Sequence, residues 1–260
     1  MIDSIQDDLV FVQDGPIARI TLNRPAKLNT VTPEMGNALF EIADAIDEND
    51  DIRVVVLSGT GERAFSAGSD IKALDTYGTN WQLRNRKDYN RAIWSIRKPV
   101  LASIRGYAIG GGLELALSAD IRIASKTASF GAGEVKLGWV GGAGNTQLLP
   151  RLVGYGKALQ LLLTGDLISA EEAHRLGLVQ EVVEDGLLET VVNDLAAKIA
   201  CNPPIAVQLI KHLVRVSAST ALSVGFEYEN DLFTYCFTTK DHEEGIAAFK
   251  EKRRPEFKGR

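Results

Sequence analysis

The chain has 260 residues, room for one large domain or for a core with a helical appendage, and too many for a small stapled scaffold. Hydrophobic residues at 45% and charged residues at 24% match a globular protein and exclude a disordered chain or a long coiled coil. Twenty-nine basic against 34 acidic residues leave a net charge of −5, which excludes duplex nucleic acid as the main partner and requires a local basic patch for any anionic ligand.

Residues 1–8 are acidic without an apolar core, and no later run approaches the ~18 apolar residues of a membrane span. The reading is a cytoplasmic protein with no membrane partner. Residues 9–12 and 17–22 flank Asp14-Gly15-Pro16 and predict an antiparallel strand pair. Thr32 before Pro33 is an N-cap with proline at the first helical position, and Met35, Leu39, Ile42, Ala43 and Ile46 continue a helix. Residues 53–57, closed by Ser58-Gly59, form a compact apolar run expected of a strand buried on both faces. A helix over 80–97, a strand over 100–104 and another over 120–124 follow. Buried strands alternating with helices predict βαβ crossovers and a mostly parallel sheet.

From Ala143 the pattern turns helical, over 143–152 and 157–163, then through a capping box from Ser169 to Glu172 that ends at Gly177. A short strand over 178–183 interrupts it. Helices follow over 187–199, 205–216, 222–237 and 243–252, with Asn202-Pro203-Pro204 as a stop. The expected division is an α/β core over 1–200 and a C-terminal helical region over 201–260. That region is too short for its own core and must pack on the first or on another subunit. Its apolar rows, among them Leu209, Leu213, Leu222, Phe226, Leu232, Phe233 and Phe249, favour an oligomer. Cys201 and Cys236 lack metal-ligand spacing and read as two helix-packing thiols of a reducing compartment; no metal site is expected.

Two glycine-bearing turns each follow a buried strand and open a helix: Phe65-Ser66-Ala67-Gly68-Ser69-Asp70-Ile71 and Gly106-Tyr107-Ala108-Ile109-Gly110-Gly111-Gly112-Leu113-Glu114. Each offers unsatisfied backbone N–H groups beside a positive dipole end, and two such donors converging on one oxygen make an oxyanion hole. The alternative for either turn alone is a tight strand-to-helix connection with no ligand. Glu114 lies in an apolar helical stretch with no basic residue three or four positions away, so it caps or pairs across the structure, or burial raises its pKa for acid–base work. Glu134 follows in Phe130-Gly131-Ala132-Gly133-Glu134-Val135. Two carboxylates beside an anion-stabilising site suit a substrate that forms an enolate.

With these residues the chain resembles the enoyl-CoA hydratases of the crotonase superfamily over nearly its whole length. The resemblance is carried by Ile20-Thr21-Leu22-Asn23-Arg24-Pro25, Asn29, the two glycine-bearing turns, Asp120, Phe130-Gly131, Glu134, Gly142-Ala143-Gly144, Thr146-Gln147, Leu163-Thr164-Gly165, Gly177-Leu178-Val179 and Ala248-Phe249 with Glu251-Lys252-Arg253. It implies a crotonase-like spiral of ββα units with a C-terminal helical trimerisation region, a homotrimer or homohexamer, an acyl-CoA thioester substrate, and no cofactor besides the coenzyme A of that substrate. It further implies oxyanion donors from the N–H groups of Ser69 and Gly111. Glu114 would deprotonate water and Glu134 would protonate the α-carbon. Ala67, Gly68, Asp70, Ile71, Gly142, Arg24 and Lys27 are the implied substrate contacts.

The sequence departs from the family at Gly133 and Gly141, where proline is common, and at Asn145 and Leu148, which replace a glycine and an arginine; Trp139 adds bulk. These changes imply looser loops and an unusual acyl pocket. A 3-enoyl-CoA isomerase or another acyl-CoA lyase of this superfamily is the alternative, and an assembly protein that kept the fold is the non-enzymatic one. A serine hydrolase built on Ser66 with His174, His212 or His242 lacks the first elbow glycine. A dinucleotide site at Gly142-Ala143-Gly144 has Gln147 at the third glycine position.

Overall fold

The computed structural model describes residues 7–74 and 76–260, so most of the acidic opening segment, residues 1–6, lies outside the described residues. The hairpin forms from β1 (Leu9–Asp14) and β2 (Ile17–Leu22), which pair antiparallel with Leu9 opposite Leu22. Helix α1 (Pro33–Glu48) starts where the Thr32 hydroxyl accepts the Met35 N–H at 3.3 Å, and it buries Met35, Leu39, Ile42, Ala43 and Ile46.

The chain then repeats one move, a strand in a large sheet followed by a short strand in a small one and a helical return. β3 (Val54–Gly59) leads to β4 (Ala64–Ser66), β5 (Val100–Ile104) to β6 (Tyr107–Ile109), and β7 (Ile121–Ser125) to β8 (Ser129–Gly131). β9 (Ile168–Ser169) and β10 (Glu181–Val183) complete the two sheets, with orders β1-β2-β3-β5-β7-β10 and β4-β6-β8-β9. Every pairing is parallel except β1 with β2 and β8 with β9. The helical returns are α2 (Ile71–Leu74), α3 (Asn80–Arg84), α4 (Tyr89–Ser95), α5 (Gly111–Ser118), α6 (Asn145–Val153), α7 (Tyr155–Thr164), α8 (Ala170–Arg175) and α9 (Leu188–Ala200).

Strand β3 explains the continuous apolar run. Val55 and Leu57 join the central core, whereas Val54 and Val56 face Leu188, Val192 and Ala196 of α9 on the other side of the large sheet. The small sheet escapes sequence reading because strands of two or three residues are too short to show alternation. The single helix expected over 80–97 is two, because Thr79 caps α3 and Asp88 caps α4, its carboxylate accepting the Asn90 N–H at 3.0 Å. Of the strand expected over 178–183 only β10 pairs; Leu178 and Val179 are buried ahead of it.

The C-terminal helices are α10 (Pro204–Ser217), α11 (Leu222–Cys236) and α12 (Lys240–Glu251). Asp120 holds them to the core, its carboxylate 2.6 Å from Lys211 Nζ and 2.8 Å from Arg215 Nη2. Arg53 donates to the carbonyls of Ala200 and Phe257 at 3.0 and 2.6 Å. Helices α10 and α11 bury none of their residues fully. Among the described residues no helix is long and apolar enough to cross a membrane.

Candidate active site

Strand β4 delivers Ala67-Gly68-Ser69, and strand β6 delivers Gly110-Gly111 at the start of α5. The two turns touch. Gly68 has φ 87°, and a Cβ there would lie 2.6 Å from the Gly111 nitrogen, so only glycine permits both the conformation and the approach. Among the described residues the N–H groups of Ser69 and Gly111 donate to no backbone carbonyl, so both are free for an oxygen of a ligand. Tyr89 closes this corner from α4. Its hydroxyl is 3.1 Å from Ser69 Oγ, and burial pushes the phenol above its ordinary range, which keeps it neutral.

Glu114 projects from α5 and is 4% exposed. Its Oε1 accepts the N–H groups of Ala143 and Asn145 at 2.8 and 3.2 Å, so the carboxylate caps the N-terminus of α6 across the structure. Burial pushes its pKa up to about 7 against the pull of these two hydrogen bonds, and the neighbouring Glu134 and Asp88 carboxylates push the same way. Glu134 sits on a 3₁₀ turn, Gly133–Leu137, that follows β8. Its Oε1 accepts from Asn145 Nδ2 at 2.8 Å, and the same nitrogen lies 3.4 Å from the Gly110 carbonyl. Glu134 Oε2 is buried with no partner. Asn145 is fully buried and touches both carboxylates and the Gly110 carbonyl.

The structure thus brings Ser69, Gly111, Glu114 and Glu134 to one place, with Gly68 and Ala67 beneath them. Gly142 is exposed on the loop beside Glu114, with Arg86 Nη2 3.0 Å from where its Cβ would lie. The loop expected to be loose is pressed onto the site at Gly141, where a Cβ would lie 2.8 Å from Glu114 Oε1; around Gly133 the space is open. Asp70 pairs with Arg24 at 3.1 Å, and Ile71 is exposed at the start of α2. Arg24 is also 3.1 Å from Asp8 and donates to the Thr30 carbonyl, so it braces the Ser69 loop. Lys27 is exposed on the turn Pro25–Lys27.

Tyr89, Asp88 and Arg86 gave no signal in the sequence, since periodicity placed them inside one helix. Asn145 showed only as a departure from glycine. The serine-hydrolase alternative fails on geometry. Ser66 Oγ donates to the Asn29 carbonyl at 2.8 Å and accepts the Gly68 N–H at 3.1 Å, so it is a buried structural hydroxyl. His174 meets the Val179 carbonyl, His212 the Tyr228 hydroxyl and His242 the Phe237 ring, so none of the three serves Ser66. Among the described residues no three His, Cys, Asp or Glu side chains gather where a metal ion could be held.

Known proteins resemble this chain in sequence and in fold. The sequence profile of the enoyl-CoA hydratase/isomerase family matches residues 13–260. The short-chain-enoyl-CoA hydratase of Clostridium acetobutylicum is 38% identical over 98% of this chain and 99% of its own. The (E)-benzylidenesuccinyl-CoA hydratase of Thauera aromatica is 40% identical over 94% and 96%. The crystal structure of an enoyl-CoA hydratase from Bacillus anthracis superposes with a TM-score of 0.92 at 39% identity, covering 97% of this chain and all of that one.

Proposed function

This chain belongs to the enoyl-CoA hydratase/isomerase family, and we propose that it adds water across the conjugated double bond of a 2-enoyl-CoA thioester to give a 3-hydroxyacyl-CoA, or runs the reverse dehydration. The observation that carries this reading is the pair of carboxylates, Glu114 and Glu134, tied to one residue beside two unclaimed backbone N–H groups. The thioester oxygen accepts from Ser69 and Gly111, whose donors are in place before negative charge develops there. Ionised Glu114 takes a proton from water as its oxygen bonds to the β-carbon, and Glu134 gives a proton to the α-carbon of the enolate. Protons and charge balance over the step. The coenzyme A of the substrate is the one carrier group the reaction uses.

Isomerisation of a double bond needs one shuttling base, and a site holding two carboxylates supports water chemistry over it. The activities named for the Clostridium and Thauera relatives support the same choice. The test is loss of the conjugated thioester absorbance on a panel of straight, branched and carboxylated enoyl-CoA esters. Glu114→Gln and Glu134→Gln should each slow hydration by about 10²–10⁴-fold; near wild-type hydration by either variant sinks the reading, and loss of hydration with retained isomerisation favours the isomerase.

The reading extends to assembly as a homotrimer or homohexamer in the cytoplasm, with the region over 201–260 in or near the contact. It is supported by the exposed rings of Phe226, Phe233, Tyr235, Phe237 and Phe249 on α11, its C-cap and α12. Sedimentation velocity decides it, since a single monomeric species at micromolar concentration refutes the oligomer.

A further inference from the structure

Asn145 is the first residue of α6, and it makes a different contact to each carboxylate. Its backbone N–H donates to Glu114 Oε1 at 3.2 Å, and its side-chain Nδ2 donates to Glu134 Oε1 at 2.8 Å. The Gly110 carbonyl, 3.4 Å from the same Nδ2, fixes which way the amide faces, because both neighbours on that side are acceptors. Its Oδ1 is left buried without a partner, as is Glu134 Oε2 across the same hydrogen bond. One oxygen of each glutamate is therefore engaged, that of Glu114 by the Ala143 and Asn145 N–H groups and that of Glu134 by the Asn145 amide, and the other is left to meet substrate. A buried acceptor without a donor is costly and is rare where no ligand supplies one.

Building on the hydratase reading, we propose that Asn145 is a positioning residue that selects Oε2 of Glu134 and, together with the Ala143 N–H, Oε2 of Glu114 as the working oxygens, and that locks the acid–base pair to the oxyanion turn through the Gly110 carbonyl. A glycine here keeps the N–H to Glu114 and loses the clamp on Glu134. The Glu134 carboxyl is then free to rotate, and misplacement of a reacting group by an ångström costs up to about 10²-fold.

The experiment is a double-mutant cycle on the full-length enzyme with the best enoyl-CoA ester of the panel. Asn145→Gly should lower kcat roughly 10- to 100-fold with KM changed less than about threefold. In a Glu134→Gln background the same substitution should cost less than about threefold, because the side chain it positions no longer has a proton to transfer. Equal losses in both backgrounds would mark a merely structural residue and overturn the proposal, as would wild-type kcat in Asn145→Gly. Asn145→Leu, which keeps roughly the side-chain size and loses the donor without adding charge, should behave as Asn145→Gly does. A readout independent of turnover and of any Asn145 variant uses protein labelled with ¹⁵N-asparagine. Glu134→Gln should move the Asn145 side-chain amide resonance, and an unmoved resonance overturns the clamp even if the substrate proves to be another thioester.

Discussion

The hydroxyl of Tyr89 occupies the space that a side chain on Gly111 would need. An ideal Cβ at 111 lies 2.2 Å from that oxygen, and Gly111 does not have a positive φ, so Tyr89 and not backbone conformation is what first demands glycine here. The same hydroxyl is 3.1 Å from Ser69 Oγ, so one tyrosine touches both residues of the proposed oxyanion hole.

Gly111→Ala should therefore displace an oxyanion N–H and lower kcat by about 10²–10³-fold, the usual cost of losing one such donor. Tyr89→Phe removes the oxygen that the new methyl meets. The double variant Gly111→Ala/Tyr89→Phe should regain at least about tenfold over Gly111→Ala alone. Steady-state kinetics on the four proteins checks this, and a double variant no better than Gly111→Ala means that the backbone itself rejects a side chain.

Hydration should gain rate with pH through about 7, since Glu114 must be ionised to accept a proton and burial, against the pull of the Ala143 and Asn145 N–H groups, holds its pKa at about 7. The ascending limb of kcat/KM against pH reports it. A limb near the ordinary carboxylate range would assign the base to another group.

The same shift predicts a stability change of definite sign. The folded pKa of Glu114 is raised above its ordinary 4.5, so the stability linked to its bound proton is complete below that value and lost as pH rises through about 7. Glu114→Gln cannot ionise. It should be more stable than wild type at pH 8, by up to about 3 kcal/mol at ~1.36 kcal/mol per pH unit, and nearly equal at pH 4.5. Urea denaturation at the two values measures the difference, and a Gln variant less stable at pH 8 contradicts the buried, strained carboxylate.

Asp120 should matter for the tail as well as for the core. Lys211 is 7% exposed in its side chain, and burial lowers its pKa to about 8 against the attraction of Asp120. Asp120→Asn leaves Lys211 and Arg215 without their counter-charge and should cost about 1–3 kcal/mol at pH 7, since the pair is only partly buried and water screens what remains. Limited proteolysis should then cut first near α10. An Asn variant as stable as wild type would show that the tail is anchored by other contacts.

Much of the framework was legible in the sequence because it rests on interactions close along the chain. Val54 to Leu57 announced a strand buried on both faces, Thr32 and Ser169 announced helix starts, and both caps form. Glu114 stood out because no neighbour within a helical turn could pair with it. The resemblance then named Glu114, Glu134, Ser69 and Gly111 together, and the structure gathers all four. What only the tertiary structure decided are contacts between segments with no local signature. Asn145 reaches Glu114 across 31 positions and Glu134 across 11, and the Tyr89 ring comes to Ser69 from 20 positions away. Such meetings depend on the spiral stacking the large and small sheets in register, and neither periodicity nor propensity carries that register. A side chain's partner in a buried site is fixed by how whole layers pack, so the residues that hold the glutamates in place became visible only in three dimensions.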